Sequence, residues 1–102
     1  YALSGGGPIL HPRLEAITLV PICPHTLSNR PLVIDDDSVV EIIILKGTLD
    51  ATVSCDGQVD QSLEADDLIT VRKHDHALRL LHPPGHDYFA VLREKLRWSE
   101  QP

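Results

Sequence analysis

Proline and glycine cut this chain into pieces that suit short strands and turns and little else. Eight prolines and six glycines fall among 102 residues, and the longest apolar stretch between breaks, residues 39–45, is itself interrupted by Glu41. A stretch of that length fits a strand covered on both faces better than a helix. Aromatic residues make up only 4% of the chain against 42% apolar. The core must therefore come from Leu, Ile and Val, and the β-branched pair favours strands. A single domain of this size removes about two-thirds of its unfolded surface from water, so no staple is required.

Further strands are expected at 17–20, 32–34, 49–55, 58–63, 68–72 and 77–81. Leu49, Ala51, Val53 and Cys55 alternate with Asp50, Thr52 and Ser54, as a strand with two unlike faces requires. Asp56-Gly57 between two alternating runs is the strongest local hairpin signal. The stretches 68–72 and 77–81 read as a second pair joined through residues 73–76. Residues 1–10 read as a loop entering a short helical turn. Phe89, Leu92 and Leu96 recur at helical spacing and place a closing helix over 87–98. The expected fold is mainly β: an antiparallel, sandwich-like domain with a short terminal helix.

Composition narrows the function. The formal charge is −6 and the cations form no stripe, which argues against a nucleic-acid backbone as partner. No run is long enough for a membrane span, and no secretory leader pattern is present. Cys23 and Cys55 read as reduced thiols of a cytoplasmic protein rather than as a disulfide. The chain opens at Tyr1 directly before Gly5-Gly6-Gly7. Gly-rich loops connect two elements, so an upstream element is expected and the chain reads as the end of a longer polypeptide.

Three stretches carry candidate chemistry. Residues 1–9 place Ser4 beside a glycine run that lets a backbone come close to a ligand, although the same run alone also serves as a plain connector. In residues 21–34 prolines fix the path of a polar loop that presents His25 or simply crosses between strands. In residues 53–58, Asp56-Gly57 is ordinary turn chemistry unless Asp56 and Gln58 face a ribose or amide. The histidines at 74, 76, 82 and 86 give no converging ligand set and no metal site is expected. No serine lies in a Gly-x-Ser-x-Gly elbow, and the triple aspartate at 35–37 reads as a solvated turn.

Taken in order, Tyr-Ala-Leu-Ser-x-Gly-Gly-Pro-Ile, Pro-His-Thr-Leu-x-x-Arg-Pro-Leu-Val-Ile, Ser-Cys-Asp-Gly-Gln and Leu-x-Leu-Leu-His-Pro resemble the C-terminal half of bacterial ATP-NAD kinases. The closing segment from Tyr88-Phe89 to Trp98 is similar as well. The resemblance implies a phosphotransferase that moves the terminal phosphate of ATP, or of polyphosphate, to the 2′-hydroxyl of the adenosine ribose of NAD. It implies an N-terminal catalytic α/β domain bearing the general-base aspartate, with Gly-Gly-Asp-Gly, Asn-Glu and Thr-Gly-Ser-Thr-Ala motifs, all absent from this chain. No catalytic residue is therefore expected here.

By position, the resemblance implies NAD contacts from Tyr1, Ala2, Ser4, Asp56 and Gln58. It places Cys23 and His25 on a loop that reaches the NAD site of a neighbouring subunit. Residues 1–102 then form an NAD-binding and oligomerisation domain of a homodimer or homotetramer. NAD and ATP are the implied substrates, and magnesium accompanies ATP on the missing part. Three departures stand out: Gly5 replaces an alanine and loosens the loop, Arg97 replaces a glycine before Trp98 and lets the helix run on, and residues 35–37 are unusually acidic. A free-standing β-sandwich interaction module, or a related lipid or sugar kinase domain, is the alternative.

Overall fold

A computed structural model describes residues 1–22 and 29–98. Six four-residue strands and one helix follow in the order β1 (Ala16–Leu19), β2 (Leu32–Asp35), β3 (Val40–Ile43), β4 (Thr52–Cys55), β5 (Val59–Ser62), β6 (Leu68–Val71) and α1 (Tyr88–Leu96). The strands pair antiparallel as β1·β2, β3·β6 and β4·β5. The mainly β, antiparallel class and the closing helix agree with the expectation from sequence.

The pairing explains how the middle of the chain is built. Val40 pairs with Val71 and Ile43 with Leu68 in the outer ladder, and Thr52 pairs with Ser62 and Cys55 with Val59 in the inner one. Ile44 and Asp67 continue the outer register through Ile44 N–H donating to Asp67 O at 3.0 Å. Leu63 N–H donating to Ala51 O at 2.8 Å continues the inner one. The two ladders are thus tiers of one long hairpin, broken where residues 45–50 lie opposite residues 64–66. At the break Asp50 (φ 56°) and Asp66 (φ 70°) take left-handed backbone conformations, which Asp tolerates better than most side chains.

Residues 77–81 do not form the strand expected of them: β6 pairs with β3 instead. The loop Lys73-His74-Asp75-His76 carries none of the Asn-Gly or Asp-Gly turn signals that mark a tight local hairpin. The β-branched residues of β3 offer β6 a better, distant partner. Strand β3 also departs from the expectation of two covered faces, with Ile42 and Ile43 exposed. Residues 1–10 contain turns but no helix.

Helix α1 begins where Asp87 accepts from the amides of Phe89 and Ala90, an N-cap that satisfies two orphan donors. Tyr88 ties it to the first segment by donating its hydroxyl to Leu10 O at 3.2 Å. The helix does not run on through Arg97. Arg97 turns left-handed (φ 55°), its amide bonds to Glu94 O, and Trp98 N–H reaches Arg93 O at 3.0 Å. This is a Schellman-type stop, so Arg97 performs the glycine's task at some conformational cost.

Among the described residues none is buried. The ladders have no contacts with one another as elements, so they are not closed into two facing layers. The radius of gyration is 17.3 Å, against about 13 Å for a compact chain of this length. No described helix is long and apolar enough to cross a membrane.

Candidate functional site

Tyr1 stands between two open hollows. One, of about 210 Å³, is lined by Tyr1, Ala2, Thr18, Val20 and Ile22; the other, of about 280 Å³, by Tyr1, Ser54, Asp56 and Gly57. The first is mainly apolar. The second carries a carboxylate and a hydroxyl. Tyr1 is therefore a partition between two mainly apolar hollows, of which the second also has Ser54 and Asp56 in its wall.

The glycine run holds this partition from behind. Gly5 N–H donates to Tyr1 O at 3.0 Å, Gly6 N–H to Leu3 O at 3.1 Å and Gly7 N–H to Ala2 O at 2.7 Å. A Cβ at Gly7 would lie 2.7 Å from both Ala2 O and Val20 Cγ2. Only glycine lets the chain double back this closely against β1. The run therefore brings backbone against backbone, where the sequence suggested an approach to ligand. Gly5 is also less loose than expected, since an added Cβ would sit 3.3 Å from Val20 Cγ1.

The hairpin tip meets Tyr1 from the front. Asp56 (φ 53°) and Gly57 (φ 67°) are both left-handed, as a type I′ turn requires, and Gln58 N–H donates to Cys55 O at 3.0 Å. A Cβ on Gly57 would lie 3.3 Å from the Tyr1 hydroxyl oxygen. Tyr1 and Asp56, 55 residues apart in sequence, thus come together on one site.

Of the expected site residues, Tyr1, Ala2 and Asp56 share these walls. Ser4 and Gln58 are exposed and line neither hollow. Cys23 and His25 lie outside the described residues. Cys55 is an exposed free thiol. Sequence reasoning missed Thr18, Val20, Ile22, Ser54 and Gly57. The first three had a signal, since positions two apart in an extended segment share a face. Nothing local marked Ser54 or Gly57 as neighbours of Tyr1.

One acidic group places ligand atoms within 4.8 Å of one another: Asp35, Asp36 and Asp37. Its charge is met in part by one lysine. The Lys73 ammonium lies 3.2 Å from both Asp36 Oδ1 and Asp37 Oδ1, and these hydrogen bonds, Asp36 first, raise the lysine's pKa above 10.5.

Comparison with known proteins gives the chain's family. The profile of the ATP-NAD kinase C-terminal domain matches residues 1–82. The NAD kinase of Alcanivorax borkumensis is 53% identical over 102 residues, all of this chain and 34% of that protein. That of Halorhodospira halophila is 54% identical over 100 residues, 97% of this chain and 33% of its own length. The NAD kinase of Paraburkholderia phymatum is 54% identical over 102 residues, again 34% of its length. The chain spans about a third of these curated relatives. With a profile match over most of its residues, the chain belongs to the ATP-NAD kinase C-terminal domain family.

Proposed function

We propose that this chain is the NAD-binding and assembly domain of an NAD kinase. The complete protein transfers the terminal phosphate of ATP to the 2′-hydroxyl of the adenosine ribose of NAD, giving ADP and NADP. The observation that carries this reading is the meeting of Tyr1 with the Asp56 hairpin tip in a chain of this family. An exposed aromatic ring offers a face to a flat heterocycle. Asp56 and Ser54 beside it offer acceptors and a donor to ribose hydroxyls.

Tyr1, Ala2 and Asp56 form the centre of the dinucleotide site, with Ser4 and Gln58 at its margin. Cys23 and His25 belong to the same site through a neighbouring copy in a homodimer or homotetramer. The many exposed apolar side chains, Leu49, Leu78 and Leu81 among them, support assembly on a larger body, because monomers rarely leave such surface bare. The protein is cytoplasmic in this reading. The general base lies in an N-terminal α/β domain outside this chain. Magnesium accompanies ATP there and supplies charge neutralisation for phosphoryl transfer.

The test is NADP formation from NAD, ATP and magnesium by the complete gene product, with the 102-residue chain alongside. Activity in the complete protein alone is expected. Inactivity of both removes the reading.

A further inference from the structure

We infer that Gly57 is a positioning residue for NAD: its missing side chain forms the shelf on which the Tyr1 hydroxyl rests, and this sets the ring that divides the two hollows. The inference rests on the NAD kinase reading above.

Tyr1 is 92% exposed, so little side-chain packing restrains its ring. A freely rotating ring would have to be ordered at each binding event, which weakens affinity. Two constraints act instead. The Tyr1 carbonyl is held by the Gly5 amide at 3.0 Å and the Ala2 carbonyl by the Gly7 amide at 2.7 Å, which fixes the root of the side chain. At its far end the hydroxyl comes down over Gly57, where an added Cβ would stand 3.3 Å away. The contact crosses from the first turn of the chain to the tip of the β4·β5 hairpin, so it also sets the distance between Tyr1 and Asp56. A side chain at position 57 would displace the hydroxyl by a few tenths of an ångström and the ring with it.

Gly57 carries two duties, and the test must separate them. Its positive φ of 67° strains most substitutes, but Asn accepts that region best among residues with side chains. Gly57→Asn therefore keeps the turn while filling the shelf. Tyr1→Phe removes the oxygen with which the new side chain collides.

The experiment compares the complete gene product with Gly57→Asn, Tyr1→Phe and the double variant, measuring KM for NAD and kcat. Gly57→Asn is expected to raise KM about five-fold, with most of the loss in kcat/KM carried by KM. In the Tyr1→Phe background the same substitution is expected to raise KM less than about two-fold, a coupling that a merely structural role does not produce. Equal increases in both backgrounds overturn the inference and leave the kinase reading intact. Absence of NADP formation by the unsubstituted protein overturns both. Should Gly57→Asn fail to fold, Tyr1→Phe decides alone: the Gly57 amide resonance must move, and an unmoved resonance overturns the inference.

Discussion

The molecule has two aspartate turns that look alike locally and differ in what reaches them. At residues 35–37 the Asp35 carboxylate accepts from Asp37 N–H at 2.7 Å, while Lys73 arrives from beyond β6 to bond Asp36 and Asp37. At residues 56–57 no cation arrives. Among the described residues the Asp56 carboxylate has no hydrogen bond or ion pair, and the aromatic ring of Tyr1 stands across from it. Each carboxylate of the first turn has a bond within the protein. The carboxylate of the second has no such bond among the described residues.

The largest expected effect comes from disturbing what brings Tyr1 to the second turn. Gly7→Ala drives a methyl group into Ala2 O and Val20 Cγ2, each 2.7 Å from its position. Overpacking against backbone costs about 2 kcal/mol, and denaturant unfolding of the complete protein should register it. The KM for NAD should rise with it, because Ala2 and Tyr1 move together. A stable Gly7→Ala protein with unchanged KM would show that Tyr1 does not depend on the glycine run.

Next in size is the removal of the free carboxylate. Asp56→Ala should raise KM for NAD about ten-fold, the loss of a charge-assisted hydrogen bond, and lower the melting temperature slightly, because Ala accepts the left-handed φ of 53° less readily than Asp. Tyr1→Ala should match it in direction. Asp36→Ala is the control from the other turn and should leave KM alone. If Asp36→Ala impaired NAD binding as much as Asp56→Ala, the contrast between the turns would fail.

How much of this was legible before the structure follows from the range of each interaction. The β4·β5 hairpin was legible because Asp56-Gly57 encodes its turn locally. The helix was legible from Phe89, Leu92 and Leu96. The pairing of β6 with β3 was hidden, because it depends on residues 31 apart in the chain, as at Val40 and Val71, meeting across a broken hairpin. The stop at Arg97 was hidden too, since a non-glycine residue in a left-handed cap contradicts its own propensity. At the site, family resemblance pointed to Tyr1, Ala2 and Asp56. Gly57 read as turn chemistry alone, and its contact with Tyr1 became visible only in three dimensions.

A smaller effect belongs to the first turn. Asp35→Ala removes the acceptor for the Asp37 amide at 2.7 Å. The expected loss is about 1 kcal/mol of stability, typical of one local side-chain to backbone hydrogen bond. KM for NAD should not change. Calorimetric melting together with NAD kinetics checks both halves, and a KM defect would give the first turn a role in binding.

The smallest effect is electrostatic and carries a sign. Hydrogen bonds from Lys73 to Asp36 and then Asp37 hold its pKa above 10.5, so the folded state favours the charged lysine. A group raised in this way contributes stability fully below its unfolded pKa, near 10.5. That contribution is lost as pH rises through the folded value. The lysine side chain is half exposed, so salt screens the pair and its contribution stays small. Comparison of the native protein with Lys73→Met should therefore show a small melting advantage near neutral pH. The advantage should shrink in high salt and vanish well above pH 10.5. An advantage that survived both changes would belong to the packing of the lysine's methylenes, and the first turn would then be held by contact rather than by charge.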